Sequence, residues 1–214
     1  MLGWRTLVPS ALLVLLASLA LARSNDPPAG RTGAPAVGTY SFEPNCTAGG
    51  CHVGVPNNGS GEITIRVPAE YLPGEAYEIM VTLASTSTQN RSTRRWGFEL
   101  VAIRTDTGKS AGVLSSPDLR IVAGIQPFAG RTYISHNRAT FKQGEPTPVQ
   151  WTFTWTAPSE EAGTVAFYAS GNAANGSGSS SGDFIYTGTA TSFMTGTPVE
   201  AASWGAIKRR FGVR

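Results

Sequence analysis

Between Gly61 and Met194 apolar and polar residues alternate with a period of two, the spacing of a strand that faces core and solvent in turn. The runs are rich in Val, Ile, Thr, Tyr, Phe and Trp, which suit a pleated, half-buried surface. Strands are predicted over 62–67, 77–83, 96–104, 120–124, 132–136, 149–156, 164–169 and 184–191. The clearest is Val149-Gln150-Trp151-Thr152-Phe153-Thr154-Trp155, which puts Trp and Phe on one side and Gln and Thr on the other. Leu72-Pro73-Gly74-Glu75, Asp106-Thr107-Gly108-Lys109 and Ala157-Pro158 read as turns between the runs. No segment carries a sustained helical apolar stripe, and no internal repeat is evident. Seven to eight short strands over this length predict an all-β fold, an antiparallel, immunoglobulin-like β-sandwich. Such a sandwich has core enough to fold without disulfides.

The pattern changes at both ends. Residues 1–22 have a short basic head with Arg5 and an apolar run, 11–22, that closes on Ala20-Leu21-Ala22. That is the small-x-small pattern of a signal peptidase site, and the run is short for a membrane span. We expect a signal peptide over 1–22 and a secreted, periplasmic or cell-surface protein; an uncleaved anchor helix is the other reading. No cysteine follows the site, which excludes a bacterial lipoprotein. Residues 23–60 form an N-terminal loop segment, 61–194 the sandwich, and 195–214 a linker and tail. In the tail, Trp204, Ile207 and Phe211 fall at i, i+3 and i+7 with Lys208, Arg209 and Arg210 between them. This predicts a short amphipathic helix for a membrane-surface or sorting contact, against a frayed end with no role.

Charge follows the same division. The net charge is +3, from 17 Lys+Arg against 14 Asp+Glu. Arg5, Lys208, Arg209, Arg210 and Arg214 account for five of those cations, leaving twelve against 14, a body of −2. The basic excess therefore belongs to the tail, and a nucleic-acid partner is excluded for want of a basic face. A glycine- and serine-rich stretch, 171–183, reads as a strand connection. With Asp183 as its only carboxylate it is a poor calcium loop. Asn45, Asn58, Asn90 and Asn175 each open an N-x-Ser/Thr triplet, of consequence only in a glycosylating host.

Hydrolytic motifs are absent: there is no G-x-S-x-G elbow, no H-E-x-x-H and no paired carboxylates, so no enzyme activity is expected. The one constellation with chemistry is Cys46-Thr47-Ala48-Gly49-Gly50-Cys51-His52. Covalent haem attachment needs two thiols for the two vinyl groups and a His directly after the second to ligate iron. Here four residues separate the thiols instead of the usual two, and Gly49-Gly50 would let the longer loop bulge. His136, the only other histidine, ends a strand and is a candidate for the opposite axial position, ahead of Met80 and Met194, which read as core. Haem c held by Cys46, Cys51 and His52, with His136 distal, would make the protein an electron carrier with a redox partner. A local Cys46–Cys51 disulfide is the alternative, and would leave a non-catalytic surface adhesion or binding module with a surface ligand. A zinc site of both thiolates and both imidazoles ranks third.

Several segments together carry a resemblance: Gly33-Ala34-Pro35, the Cys/His element, Tyr133-Ile134-Ser135-His136, Trp151-Thr152-Phe153-Thr154-Trp155-Thr156-Ala157-Pro158, 165–176 with its Phe-Tyr and Gly-Asn-Ala-Ala-Asn steps, and Gly182-Asp183-Phe184-Ile185-Tyr186. From Gly33 to Met194 the chain resembles the bacterial Reeler-like (reelin-domain-related) exported proteins, which carry a choice-of-anchor domain. The resemblance implies an immunoglobulin-like sandwich joined to varied C-terminal anchors. It also implies a Cys-x-x-Cys-His haem motif in the early loop, mapping onto Cys46, Cys51 and His52 with wider spacing, and it maps the Tyr–His stretch onto His136. Animal relatives resemble adhesion or matrix modules instead, and a fold by itself does not decide between these roles.

Overall fold

The structure is a computed structural model, and it describes residues 25–48, 51–87 and 92–196. The predicted signal peptide and the predicted amphipathic helix of the tail lie outside the described residues, as do Gly49 and Gly50. The described chain forms ten strands: β1 (Gly61–Arg66), β2 (Glu70–Tyr71), β3 (Ala76–Ser85), β4 (Arg95–Arg104), β5 (Val113–Ser115), β6 (Arg120–Ala123), β7 (Thr132–Ser135), β8 (Val149–Thr156), β9 (Thr164–Ala174) and β10 (Phe184–Met194). They make two sheets, one of four strands in the order β1-β3-β8-β5 and one of six in the order β2-β10-β9-β4-β7-β6. This is the two-layer all-β sandwich that the alternation predicts.

Three details correct the sequence reading. Two strands, β2 and β5, were too short to carry a period. β2 pairs parallel with β10 over two residues, so the sandwich is not wholly antiparallel. And β9 runs five residues past its predicted end, through Gly171-Asn172-Ala173-Ala174, which read as loop. Gly171 is there for space: a Cβ would lie 2.9 Å from Cδ1 of Ile63 and 3.1 Å from Cδ1 of Leu83 across the core.

Between the sheets, β8 turns Val149, Trp151, Phe153 and Trp155 inward and exposes Gln150, Thr152 and Thr154. Trp155 meets Tyr71 and Phe167 edge-on, with ring centroids 5.2 and 5.1 Å away. Each buried aromatic of this kind contributes roughly 1.5–3 kcal/mol of burial free energy. Their polar edges are satisfied: Trp155 Nε1 donates to Ala111 O and Trp151 Nε1 to Thr140 O, both at 2.8 Å.

β4 is buried on both faces, unlike β8. Trp96, Phe98, Leu100 and Ala102 face the sandwich core. The opposite face is covered by the 25–48 segment, where Ala34 and Tyr40 pack on Val101, Ile103, Phe128 and Tyr133. That segment is held by a buried polar cluster. Glu43 accepts from Arg131 Nη1 at 2.6 Å, from Tyr133 OH at 2.5 Å and from Thr32 Oγ1 at 2.5 Å. Arg131 also donates through Nε to Gly108 O at 2.8 Å and lies 4.4 Å from the Tyr40 ring centroid. Glu43 and Arg131 are both fully buried, so the charges compensate one another inside the protein.

Candidate functional site

The outer face of the six-stranded sheet is graded along β4. At one end Val101 and Ile103 form the apolar patch under the cover. In the middle Glu99 stands in register with Ser135 of β7 and Ser170 of β9. Beyond it Gly97 faces Asn172, and the absence of a side chain at 97 leaves a low floor. A cleft opens there, lined by Cys46, Cys51, His52 and His136 together with Pro27, Pro28 and Phe141, and bordered by Trp96 and Phe98, whose side chains face the sandwich core. The cleft holds a cavity of about 110 Å³ and opens to solvent at its mouth. All four residues singled out from the sequence thus line one cleft. Met80 and Met194 do not line it.

Each side chain has its own support. Asn45 shapes the turn that presents Cys46, its Oδ1 accepting from Thr47 N at 2.9 Å and Thr47 Oγ1 at 2.7 Å. Ser170 Oγ donates to Cys46 Sγ at 3.2 Å. Burial pushes the Cys46 thiol up to about 12, so it is protonated at neutral pH. The two sulfurs are not bonded to each other. After His52 the chain is tied to the far side of the sheet, Val53 N donating to Ser180 O and Asn57 N to Ile185 O, both at 2.8 Å.

His52 Nδ1 donates to Asp183 Oδ2 at 2.7 Å, and Asn172 Nδ2 donates to His52 Nε2 at 3.1 Å. Asp183 is buried and its other oxygen accepts from Asn175 N at 2.9 Å. A carboxylate on Nδ1 fixes the imidazole's orientation and tautomer. His136 lies across the floor: a Cβ on Gly97 would sit 2.5 Å from its Cε1 and 2.8 Å from both ring nitrogens. Its Nδ1 is 3.0 Å from both N and O of Phe98. With the proton on Nδ1 it is donated to Phe98 O and Nε2 keeps a lone pair. With the proton on Nε2, Nδ1 accepts the Phe98 N–H and the ring closes the open end of the strand pairing. Burial holds the His136 pKa below the ordinary histidine value, which favours the neutral ring in either case.

The close fit over Gly97 gives a direct test. Gly97→Ala is expected to push the His136 ring off the floor and to destabilise the fold by about 1–3 kcal/mol, an overpacking cost. Urea unfolding measures it, and an unchanged midpoint would show that the ring is not packed on the floor.

The third-ranked zinc reading is corrected. Among the described residues no three His, Cys, Asp or Glu side chains are grouped to hold a metal ion. Asp183 was noticed only as a weak calcium ligand. Gly97, Glu99 and Asn172 were missed, although a lone Glu inside the otherwise apolar run 96–103 is a signal of a buried carboxyl.

No family model matches the chain, and no curated protein matches it. Solved structures similar to it include the human F-spondin reeler domain, 19% identical over 66% of this chain and 87% of that one, with a TM-score of 0.38. The reelin-N domain of F-spondin is 22% identical over 66% of this chain and 83% of that one, with a TM-score of 0.35. A cohesin module from a Clostridium perfringens family 33 glycoside hydrolase is 12% identical over 64% of this chain and 98% of that one, with a TM-score of 0.44.

Proposed function

We propose that this chain is an exported, non-catalytic binding module of Reeler-like type, and that the ligand of its cleft is one covalently attached c-type haem. The observation that carries the reading is the convergence of Cys46, Cys51, His52 and His136 on one apolar-walled cleft from positions up to 90 residues apart. To hold the group, His52 Nε2 would give up the Asn172 Nδ2 hydrogen bond for the iron. Cys46 and Cys51 would take the vinyl carbons as thioethers, His52 oriented by Asp183 would be the proximal ligand, and His136 in its Nδ1–H tautomer would offer Nε2 from the floor. Bound there, haem would supply a one-electron couple for exchange with a redox partner. What this chain's residues do is bind, orient and exclude water: Pro27, Pro28 and Phe141 wall the cleft, and the Phe98 backbone holds one imidazole.

A second reading has its own observation. Phe98 O already accepts His136 N at 3.2 Å, so Phe98 N–H donated to Nδ1 would complete the strand end and give His136 a purely structural role. The module would then bind a surface ligand with Cys46 and Cys51 as a disulfide.

Expressing the chain with its export signal in a host that has haem-attachment machinery separates the two. The expected result is a mature chain heavier by one haem, positive by peroxidase stain, with a low-spin spectrum that His136→Ala perturbs. A chain without adduct and lighter than the reduced form by two hydrogens would overturn the haem reading and establish the disulfide. An unperturbed spectrum in the His136 variant would remove it as a ligand.

A further inference from the structure

The cleft has an electrostatic character that the four residues above do not explain. Arg31 and Arg95 both line it. The Nε atom of each is buried and has no hydrogen-bond partner. Neither guanidinium is paired with a carboxylate among the described residues: the ion pairs there are His52–Asp183, Arg104–Asp106, Arg120–Asp26, Arg131–Glu43 and Lys142–Glu145. Arg95 instead lies 5.2 Å from the Phe141 ring centroid, and Arg31 Nη1 has only a long 3.4 Å contact to its neighbour's carbonyl, Gly30 O. The carboxylate nearest to hand in the cleft, Asp183, is committed to His52 and the Asn175 backbone. Glu99, behind the wall, accepts the backbone N–H of Arg31 at 2.6 Å. Burial pushes its carboxyl up to about 8, so at neutral pH it is protonated and leaves the Arg31 charge unneutralised.

Two permanent cations facing an apolar cleft, in a body with an excess of acidic residues, are costly unless something anionic meets them. Guanidinium groups accommodate carboxylates with paired, charge-assisted hydrogen bonds. We propose that Arg31 and Arg95 form an anion-receiving rim, and that the cleft takes a flat apolar molecule bearing carboxylate groups. This rim is assigned to carboxylates whatever their carrier; it rests on the haem reading only in that the carboxylates would then be the haem propionates.

The test uses the mature chain made in a host without haem-attachment machinery, with its thiols kept reduced. Pyrenebutyrate and its uncharged methyl ester share one apolar body and differ in the carboxylate. The acid is expected to bind at least about tenfold more tightly than the ester, as one charge-assisted hydrogen-bond pair provides. Arg31→Gln and Arg95→Gln together should bring the acid to parity with the ester while ester binding stays unchanged. Arg31→Lys with Arg95→Lys should retain much of the preference. Equal binding of acid and ester to the unaltered chain, or a preference that survives the Gln pair, would overturn the proposal. Ester binding serves as the check on folding, since a variant that failed to fold would lose both. A carboxylate preference in a chain that never acquires haem leaves the rim standing and removes the haem; a haem adduct without the preference does the reverse.

Discussion

Replacing Glu43 with alanine is expected to cost about 3–5 kcal/mol, the range for removing one partner of a buried ion pair. The loss is large because one carboxylate serves three donors. Without it the Arg131 charge is fully buried and uncompensated, and the hydroxyls of Tyr133 and Thr32 lose their acceptor. At roughly 2–4 °C per kcal/mol for a domain of this size, the melting temperature should fall by about 10 °C. Desolvation and the neighbouring Glu43 charge raise the Tyr133 pKa, so the phenol stays the donor at any working pH. Replacing both partners, Glu43→Gln with Arg131→Met, should be less damaging than Glu43→Ala alone, because no net charge is then left inside. Urea unfolding of the two variants beside the unaltered protein measures this, and a Glu43→Ala loss below about 1 kcal/mol would contradict the account.

The second large effect is a pH dependence located at Glu99. Desolvation lifts its carboxyl to about 8 in the folded protein, opposed in part by the Arg31 backbone N–H. Unfolded, the same group titrates near its ordinary value of about 4.3. Between these two values the folded state holds a proton that the unfolded state has lost, so folding stability falls as pH rises. The contribution is fully present below about pH 4 and is lost as pH climbs through 8, a change on the order of a few kcal/mol. Glu99→Gln keeps the shape and a neutral group. It should therefore flatten the decline of the urea midpoint between pH 5 and 9, and exceed the unaltered protein in stability at pH 9. Parallel curves for the two proteins would refute the assignment.

How far these features could be read from the sequence depends on the range of the interaction. The alternation in β8 is local, and Trp151, Phe153 and Trp155 face the core as the pattern says. The Cys/His constellation is also local, and His136 stood out because histidine is scarce. The Glu43–Arg131 pair joins residues 88 apart, and no spacing rule connects them. β9 was cut short because Gly171 and Asn172 look like loop residues. Their fitness for a strand comes from what faces them, Ile63 and Leu83 on one side and His52 on the other. Gly97 contributes by what it lacks, so nothing in its own neighbourhood of sequence announces that an imidazole needs the room. The way residues 25–48 bury the outer sheet face depends on apolar residues dispersed too thinly to make a period.

That covering segment is fastened unevenly. Near its middle, Glu43 locks it to Arg131 and Tyr133; three residues later, at Cys46, the fastening is a serine hydroxyl on a sulfur and one long backbone contact to the same oxygen. The chain is fastened firmly again at His52, which Asp183 and Asn172 hold, and at Val53, so Cys46 sits on a lightly held stretch between two firm anchorages. Anything gripped by both Cys46 and the Gly97 floor would bridge distant parts of the chain as a buckle closes a strap, and its binding would add to the stability of the folded state.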